Sequence, residues 1–326
     1  MQLLMPDQRR PQAERRLQLS FSKSSFFSGL LIAGLVVGAH RQLIRLPDRA
    51  ARADVLAEVR FTPVRLDLHS ASPLRIAGAW RLTASEPRLG GVSALAIDRG
   101  GFVALTDSGV VIRLPRPGAG RRVAEFRDLP GGPGPARFKA GRDSEALAKD
   151  ADGRGWWVAF ENRHSAWRFD ADFTRVEQRV GLGALGWRAN KGAEGVLSTA
   201  DELTLFPEGG DEMVRVGKRG IERIALANPH GRLADVTTLP DGRIVVLARS
   251  FGPAGFSARL LLLKGNRLEP IATLRLGRLD NVEAIAAETL PGGITRLWVM
   301  TDNDFRRRVP TLLIALDWAD RARSAG

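Results

Sequence analysis

The sequence predicts an all-β fold, a β-propeller of five to six blades. One segment pattern recurs about every 48 residues, each copy holds three or four short apolar runs, and Gly- and Asp-rich turns separate the runs. Several strands in a repeat of this length are typical of a propeller blade, because each blade buries its faces against its neighbours in the ring. A pair of β-sandwiches is the alternative, and the regular period disfavours it.

Each repeat begins with a small residue, an acidic or Ser position, and a short apolar run. The aligned positions stand 41 to 52 residues apart and are Ser93, Glu145, Glu194, Asp235 and Glu283. A turn then leads to a second apolar run, as in a β-hairpin. These second runs are 102–107, 156–162, 202–208, 243–250 and 296–303.

Further apolar runs complete the repeats as third and fourth strands. They are 110–114, 165–169 and 311–316 as third strands, with 121–126 and 271–276 as fourth strands. Another run, Leu74–Leu82, precedes the first repeat. We expect it to supply the outer strand of the last blade, which would close the ring without a long exposed edge.

The N-terminal residues have the layout of a secretory signal. Basic residues precede the uncharged apolar stretch Phe26–Ala39, which is shorter than the ~20 residues of a membrane-spanning helix. We predict a signal peptide, or an uncleaved membrane anchor, over 1–40, a linker over 41–60 and the propeller over 61–320. A buried core helix is the alternative for the apolar stretch. The expected location is periplasmic or otherwise exported.

The amino-acid composition excludes several kinds of functional site. The 326 residues contain no cysteine, which excludes disulfides, thiolate metal sites and cysteine nucleophiles, and the four histidines have no metal-ligand spacing. The net charge of +13 attracts polyanions, but the basic residues are spread along the whole chain, so we expect no nucleic-acid binding. We expect a monomer.

The aligned acidic residues are the strongest functional signal. The first strand of each propeller blade lines the central channel, so these carboxylates are expected to meet at one mouth, where they would raise one another's pKa unless cations lie among them. Ca²⁺, which takes six to eight oxygens, is one candidate cation. The other candidates for neutralising the carboxylates are three basic side chains, those of Arg142, Lys191 and Arg249. A second acidic ring is predicted at the ends of the next strands, comprising Asp107, Glu161, Glu208 and Asp302 with Asn303.

Other interpretations of these residues stay open. An acidic residue repeated in each blade can instead cap a turn or accept from a neighbouring backbone amide. His164 is a candidate general acid or an exposed turn residue, and the seven tryptophans are expected to pack between blades. No G-x-S-x-G motif or phosphate-binding loop occurs, and the formal G-x-G-x-x-G match at Gly181–Gly186 does not sit in a βαβ unit.

Several segments resemble the bacterial phytase-like family, the "esterase-like activity of phytase" domain. They are GGVSALAID (90–98), DSEAL (143–147), AEG (193–195), NVEAI (281–285) and TDNDF (301–305) followed by TLLIALDW (311–318). The resemblance covers about Leu74–Trp318. It implies an exported propeller whose repeated acids carry phosphoester hydrolysis, and it points to Glu145, Glu194 and Glu283. The chain departs from the pattern of calcium-dependent propeller phytases, because it has no dense Asp-rich loops.

The resulting hypothesis is a metal-assisted hydrolase that acts on a small phosphorylated or ester substrate. In it Glu145, Glu194 and Glu283 are catalytic, and Arg142, Lys191 and Arg249 bind the substrate. Asp235, Asp107, Glu161 and Asp302 are the predicted metal ligands, with Ca²⁺ as the cofactor. The alternative is a non-catalytic propeller that binds a ligand or a protein, since a fold does not define a function.

Overall fold

The computed structural model describes residues 51–66, 73–118, 122–136, 139–189, 191–228, 230–253, 255–277, 281–306 and 308–318. The predicted leader, residues 1–40, lies outside these residues. The described part of the chain is all-β, as predicted: it contains strands β1 to β21, one short helix, α1 (Lys139–Arg142), and a 3₁₀ turn at Gly183–Leu185. Within the same residues, no helix has the length and apolar character needed to cross a membrane.

The strands form antiparallel sheets of four, which we number in chain order. Sheet 1 contains β3 (Val92–Asp98), β4 (Gly101–Thr106), β5 (Val110–Leu114) and β6 (Val123–Asp128). Sheet 2 contains β7 (Ser144–Lys149), β8 (Gly155–Phe160), β9 (Ser165–Asp170) and β10 (Val176–Gly181). Sheet 3 contains β11 (Ala193–Ser198), β12 (Glu202–Pro207), β13 (Glu212–Gly217) and β14 (Gly220–Ala225).

The remaining strands form two more sheets. Sheet 4 contains β15 (Arg232–Thr238), β16 (Ile244–Gly252), β17 (Gly255–Lys264) and β18 (Arg267–Leu274). Sheet 5 contains β19 (Asn281–Thr289), β20 (Thr295–Asp302), β21 (Thr311–Trp318) and, as its outer strand, β2 (Leu74–Ala84). The expectation that 74–82 supplies the outer strand of the last repeat therefore agrees with the strand pairing, since β2 pairs with β21 over Leu74–Leu82.

The first strands of the sheets contact one another in a closed circle. β3 contacts β7, β7 contacts β11, β11 contacts β15, β15 contacts β19, and β19 contacts β3. Sheets arranged radially around a common axis in this way have the arrangement of a β-propeller. The start of each first strand therefore faces the same end of the axis.

Strand β1 (Val55–Pro63) joins the beginning of the domain to its end. It pairs with β6 on one side and with β2 on the other, so sheets 5 and 1 are continuous through it. Residues 55–60, for which the sequence predicts a linker, are consequently strand. Buried Val59 (1% exposed) explains the difference, because alternate residues of β1 pack against the core.

Apolar side chains fill the spaces between adjacent sheets. Between sheets 5 and 1, Trp298 stacks on Trp80 at 6.0 Å and meets the edge of Phe102 at 4.9 Å. Between sheets 1 and 2, Trp156 is buried and stacks on Phe173 at 5.6 Å. Burial of a large apolar side chain stabilises the fold by roughly 1.5–3 kcal/mol. These tryptophans pack between blades, as expected.

Candidate active site at the channel mouth

A β-bulge near the start of each first strand positions the site. The pairing of first and second strands skips one residue in every sheet, and the skipped residues are Ser93, Glu145, Glu194, Ala234 and Glu283. A bulge leaves its extra residue out of the ladder and turns the side chain away from the regular alternation. The bulges therefore direct Glu145, Glu194 and Glu283 to the same end of the channel.

Asp235 does not belong to this set, which corrects the sequence alignment. In β15 the bulged residue is Ala234, so Asp235 occupies the position after the bulge. Its Oδ1 accepts the amide of Val236 and its Oδ2 accepts the amide of Ile285, both at 2.7 Å. Asp235 is 2% exposed and links β15 to β19 through the backbone. These contacts agree with the alternative interpretation, an acid that accepts backbone amides, and the metal-ligand role of Asp235 stays a prediction.

The second acidic ring lies where the second strands end. The amides of Asp107, Glu161 and Glu208 donate to the backbone carbonyls that immediately precede β3, β7 and β11. In sheet 4 the equivalent position is Arg249, and in sheet 5 it is Asp302, which pairs with Asn281. The ring therefore contains four acids and one arginine. Arg249 contacts Glu283 of the neighbouring sheet and lies 3.8 Å from an oxygen of Glu208.

Two groups of carboxylates come close enough to share a cation, and Glu161 belongs to both. One group consists of Asp143, Glu145 and Glu161; the other consists of Glu161, Glu194 and Glu208. Within each group, one oxygen per residue lies within 4.8 Å of the others. Carboxylate oxygens in this number suit a hard cation such as Ca²⁺. Of the four predicted metal ligands, Glu161 alone is in these groups; Asp107 and Asp302 lie outside them.

Glycine at position 192 allows these carboxylates to approach. A Cβ atom on Gly192 would lie 2.6 Å from the Cα atom of Glu161, which is closer than real contacts allow. The amide of Gly192 also donates to Oε1 of Glu161 at 3.5 Å. The glycine that precedes β11 thus brings Glu161 of sheet 2 next to Glu194 of sheet 3.

Four cations form ion pairs with the buried acids: Lys139, Lys191, Arg232 and Arg249. Lys139 Nζ is 2.7 Å from Asp107, 2.8 Å from Asp143 and 3.7 Å from Glu145. In sheet 3, Glu208 binds both Lys191 and Arg232, the latter at 3.0 Å. The side chains of Lys139 and Arg232 are 54% and 65% exposed, whereas that of Glu208 is 6% exposed. An anion that arrives from solvent therefore meets ammonium and guanidinium groups before it meets the carboxylates.

Arg142, which the sequence predicts as a substrate-binding residue, is buried and contacts backbone carbonyls. Its guanidinium donates to the carbonyls of Leu129 at 2.7 Å and Gly134 at 2.8 Å, so it supports the loop before α1. Lys139, one helical turn earlier, reaches the acids instead. The repeat does not predict Lys139, Asp143 and Arg232 as site residues, because their positions depend on α1 and on the loops between sheets.

Burial and mutual repulsion raise the pKa values of the clustered acids. Burial raises the pKa of Glu194 well above its usual range, and Glu283 adds to the effect. Burial, with repulsion from Glu194, does the same for Glu145. The pKa of Glu161 rises to about 7 through burial and the charge of Asp143, and burial raises that of Glu283 to about 7 against the opposing effect of Arg249. The cluster therefore holds protons at neutral pH that a bound cation would displace.

Asp107 and Asp302 form the edge of the site near Lys139. Burial raises the pKa of Asp302 to about 6, and the charge of Asp107 contributes to the rise. Burial also raises the pKa of Asp107, although Lys139 opposes the effect. His164 is outside the cluster: its Nε2 lies 3.0 Å from the carbonyl oxygen of Trp187, and its ring packs against that side chain. His164 therefore lies in a turn, as the alternative interpretation predicts, but its side chain is half-buried rather than exposed.

The fold and the site define an all-β protein with a buried carboxylate cluster at one end of a ring of sheets. The chain belongs to the phytase-like family: the family model described as "Esterase-like activity of phytase" matches residues 87–305. No protein of curated function matches the chain significantly.

Several solved structures are similar to the chain at low sequence identity. Myxococcus xanthus glutaminyl cyclase is 12% identical, with a TM-score of 0.49, and the match covers 76% of this chain and 97% of that one. A gluconolactonase from Xanthomonas campestris is 15% identical, with a TM-score of 0.43 and coverage of 82% and 98%. The soluble aldose sugar dehydrogenase of Escherichia coli is 10% identical, with a TM-score of 0.44 and coverage of 75% and 99%. These likenesses carry no inference about activity.

Proposed function

We propose that this protein is a metal-assisted hydrolase of small phosphoesters. The observation that carries the proposal is the pair of buried carboxylate groups that share Glu161, beneath a rim of lysines and arginines. Oxygen ligands for a hard cation and positive groups for an anion are both required to bind a phosphoester and to stabilise charge on it. The family to which the chain belongs supports an ester as the substrate class.

The charge balance of the cluster favours a divalent cation. Among the described residues, eight carboxylates face four cationic side chains: Asp107, Asp143, Glu145, Glu161, Glu194, Glu208, Glu283 and Asp302 against Lys139, Lys191, Arg232 and Arg249. The oxygens of the second group, Glu161, Glu194 and Glu208, would hold the cation beside Lys191, Arg232 and Arg249. When bound, the cation would draw negative charge from a phosphate oxygen. We propose Ca²⁺ as this cation, because its coordination is flexible and uses oxygen ligands.

The rim residues would bind the phosphate group. Arg249 is a suitable contact, because its guanidinium bridges Glu283 and Glu208 at the centre of the site and its Nε has no hydrogen-bond partner among the described residues. Lys191 lies beside Glu208 on the same rim. A guanidinium provides two parallel N–H donors for phosphate oxygens, and an ammonium group adds a point charge.

Glu283 is suited to transfer protons near neutral pH, because it lies outside both carboxylate groups that would hold the cation. Its pKa of about 7 leaves it partly protonated there, which is the condition for general acid–base catalysis. In the hydrolysis, a water oxygen bonds to phosphorus and its proton passes to one carboxylate. The phosphorus–oxygen bond to the alcohol breaks, and the alcohol oxygen takes a proton from a carboxyl group. The products are inorganic phosphate and the free alcohol.

We also propose the blade number, the oligomeric state and the location of the protein. Five blades, with strand β2 completing the last one, form a propeller that acts as a monomer, and the basic and apolar leader directs it out of the cytoplasm or anchors it to a membrane. The closed circle of β3, β7, β11, β15 and β19 supports the blade number.

The test is phosphatase activity of the purified protein on generic phosphomonoesters and phosphodiesters, with Ca²⁺ and with EDTA. We expect metal-dependent turnover that Glu194→Gln reduces at least 100-fold, because Glu194 is a buried member of the second carboxylate group. Glu222→Gln is the matched control: Glu222 is on β14 of the same sheet, and its side chain is 63% exposed. Turnover that is absent, independent of metal, or equal in both variants rejects the proposal.

A binding protein without catalysis is the second outcome of the same experiment. In that case Ca²⁺ would raise the melting temperature and EDTA would lower it, because a ligand that binds the native state stabilises it. No phosphoester would be consumed. Product formation therefore distinguishes a hydrolase from a binding protein, whereas metal binding is expected for both.

A further inference from the structure

A hairpin in sheet 4 extends beyond the channel mouth. Strands β4, β8 and β12 end one residue before Asp107, Glu161 and Glu208, but β16 continues past the equivalent Arg249 to Gly252. Its partner β17 begins at Gly255, and the two strands stay paired to the tip. Three additional residues of strand reach about 10 Å further into solvent.

Two phenylalanines lie opposite each other at the tip of this hairpin. Phe251 pairs with Phe256, their ring centroids are 4.8 Å apart, and Phe251 is 69% exposed. On the other face, the hydroxyls of Ser250 and Ser257 lie 2.9 Å apart, which makes the hairpin more rigid. Phe251 differs from the other exposed apolar side chains of the described residues in packing against a second aromatic ring beside a cationic residue of the site, which makes the pair a suitable surface for an aromatic ligand.

The aromatic pair lies on the same face of the hairpin as Arg249. Phe251 stands two residues after Arg249 on β16, which places the two residues about 7 Å apart on the same face of the strand. A groove of about 490 Å³ runs along the hairpin and the segment after β18, and both phenylalanines, Arg259 and Arg275 contribute to its lining. This volume suits a small organic molecule.

We propose that Phe251 and Phe256 bind the aromatic alcohol part of the ester whose phosphate lies at Arg249. This inference rests on the proposed function for the phosphate end, and it specifies the substrate class as aryl phosphates. A guanidinium and two aromatic rings on one face of the hairpin favour an anionic ligand that carries an aromatic ring, since guanidinium groups bind anions and aromatic rings stack on one another. A protein partner is less compatible with a groove of this size beside a phosphate-binding rim.

The kinetic test compares phenyl phosphate with glycerol 2-phosphate. We expect Phe251→Ala to lower the ratio of kcat/KM for phenyl phosphate to that for glycerol 2-phosphate about tenfold, the size typical of one lost apolar contact. Phe251→Trp keeps an aromatic ring at this position and should give the same ratio as the wild type. Ile221→Ala removes another exposed apolar side chain, on β14, and should leave the ratio as in the wild type. An unchanged ratio in Phe251→Ala overturns the inference.

A binding experiment separates this inference from the proposed hydrolase. Calorimetry with phenylphosphonate and methylphosphonate, which resist hydrolysis, measures the contribution of the ring without turnover. We expect phenylphosphonate to bind about tenfold more tightly and Phe251→Ala to remove the difference. If phenylphosphonate binds more tightly in this way but no ester is hydrolysed, the aromatic subsite is supported and the proposed hydrolase function is rejected. Equal affinities, no binding of either compound, or no effect of Phe251→Ala overturns the subsite.

Discussion

Glu283→Gln should change how the stability of the protein depends on pH. Burial raises the pKa of Glu283 from 4.5 to about 7, so the native state holds a proton that the unfolded state releases. The stability from this raised pKa is fully present below pH 4.5 and is lost as the pH rises through 7. At ~1.36 kcal/mol per pKa unit, the loss is roughly 3 kcal/mol. Glutamine mimics the protonated acid at every pH and lacks this loss.

The assay is denaturant unfolding in EDTA, followed by tryptophan fluorescence at pH 4.5, 6, 7.5 and 8.5. Relative to Glu283→Gln, the wild type should lose roughly 3 kcal/mol of unfolding free energy across this range. Glu222→Gln, an exposed carboxylate on β14, controls for the removal of one surface charge. A difference between wild type and Glu283→Gln that is constant with pH, or that grows in favour of the wild type as the pH rises, refutes the reasoning.

Three further substitutions test the positions that the structure reassigns or adds. Asp235→Ala removes the acceptor of two buried amides and should cost about 3 kcal/mol in denaturant unfolding while Ca²⁺ affinity is retained; a fall in affinity would return Asp235 to the metal site. Arg142→Met should cost about 3 kcal/mol through its two lost bonds to carbonyls, with KM for phosphoesters unaltered, and a raised KM would contradict this. Lys139→Met should lower the melting temperature by several degrees more at pH 8 than at pH 5. Lys139 is the cation beside Asp107 and Glu145, and burial raises the pKa of both acids, so they carry more negative charge at pH 8. Equal losses at both pH values would argue against that pairing.

Local patterns were sufficient to predict most of the strands. Alternating apolar residues and Gly- or Asp-containing turns act over a few residues, so the hairpins at 102–107, 156–162 and 296–303 could be located without coordinates. The same repeat indicated that Glu145, Glu194 and Glu283 are equivalent, and the bulges at these positions agree with that alignment. The pairing of β2 with β21 followed from the requirement that a ring of sheets leave no long open edge.

The amino-acid order alone therefore specifies an all-β repeat protein with an acid recurring at the start of successive units, because these properties follow from short-range periodicity. Three features of the site depend on the tertiary structure. Ala234, and not Asp235, is the bulged residue of β15, and Lys139, and not Arg142, lies beside the acids. Glu161 belongs to both carboxylate groups. Bulge register and contacts between sheets depend on residues far apart in the chain, and closing the ring brings them together. No local pattern encodes those distances.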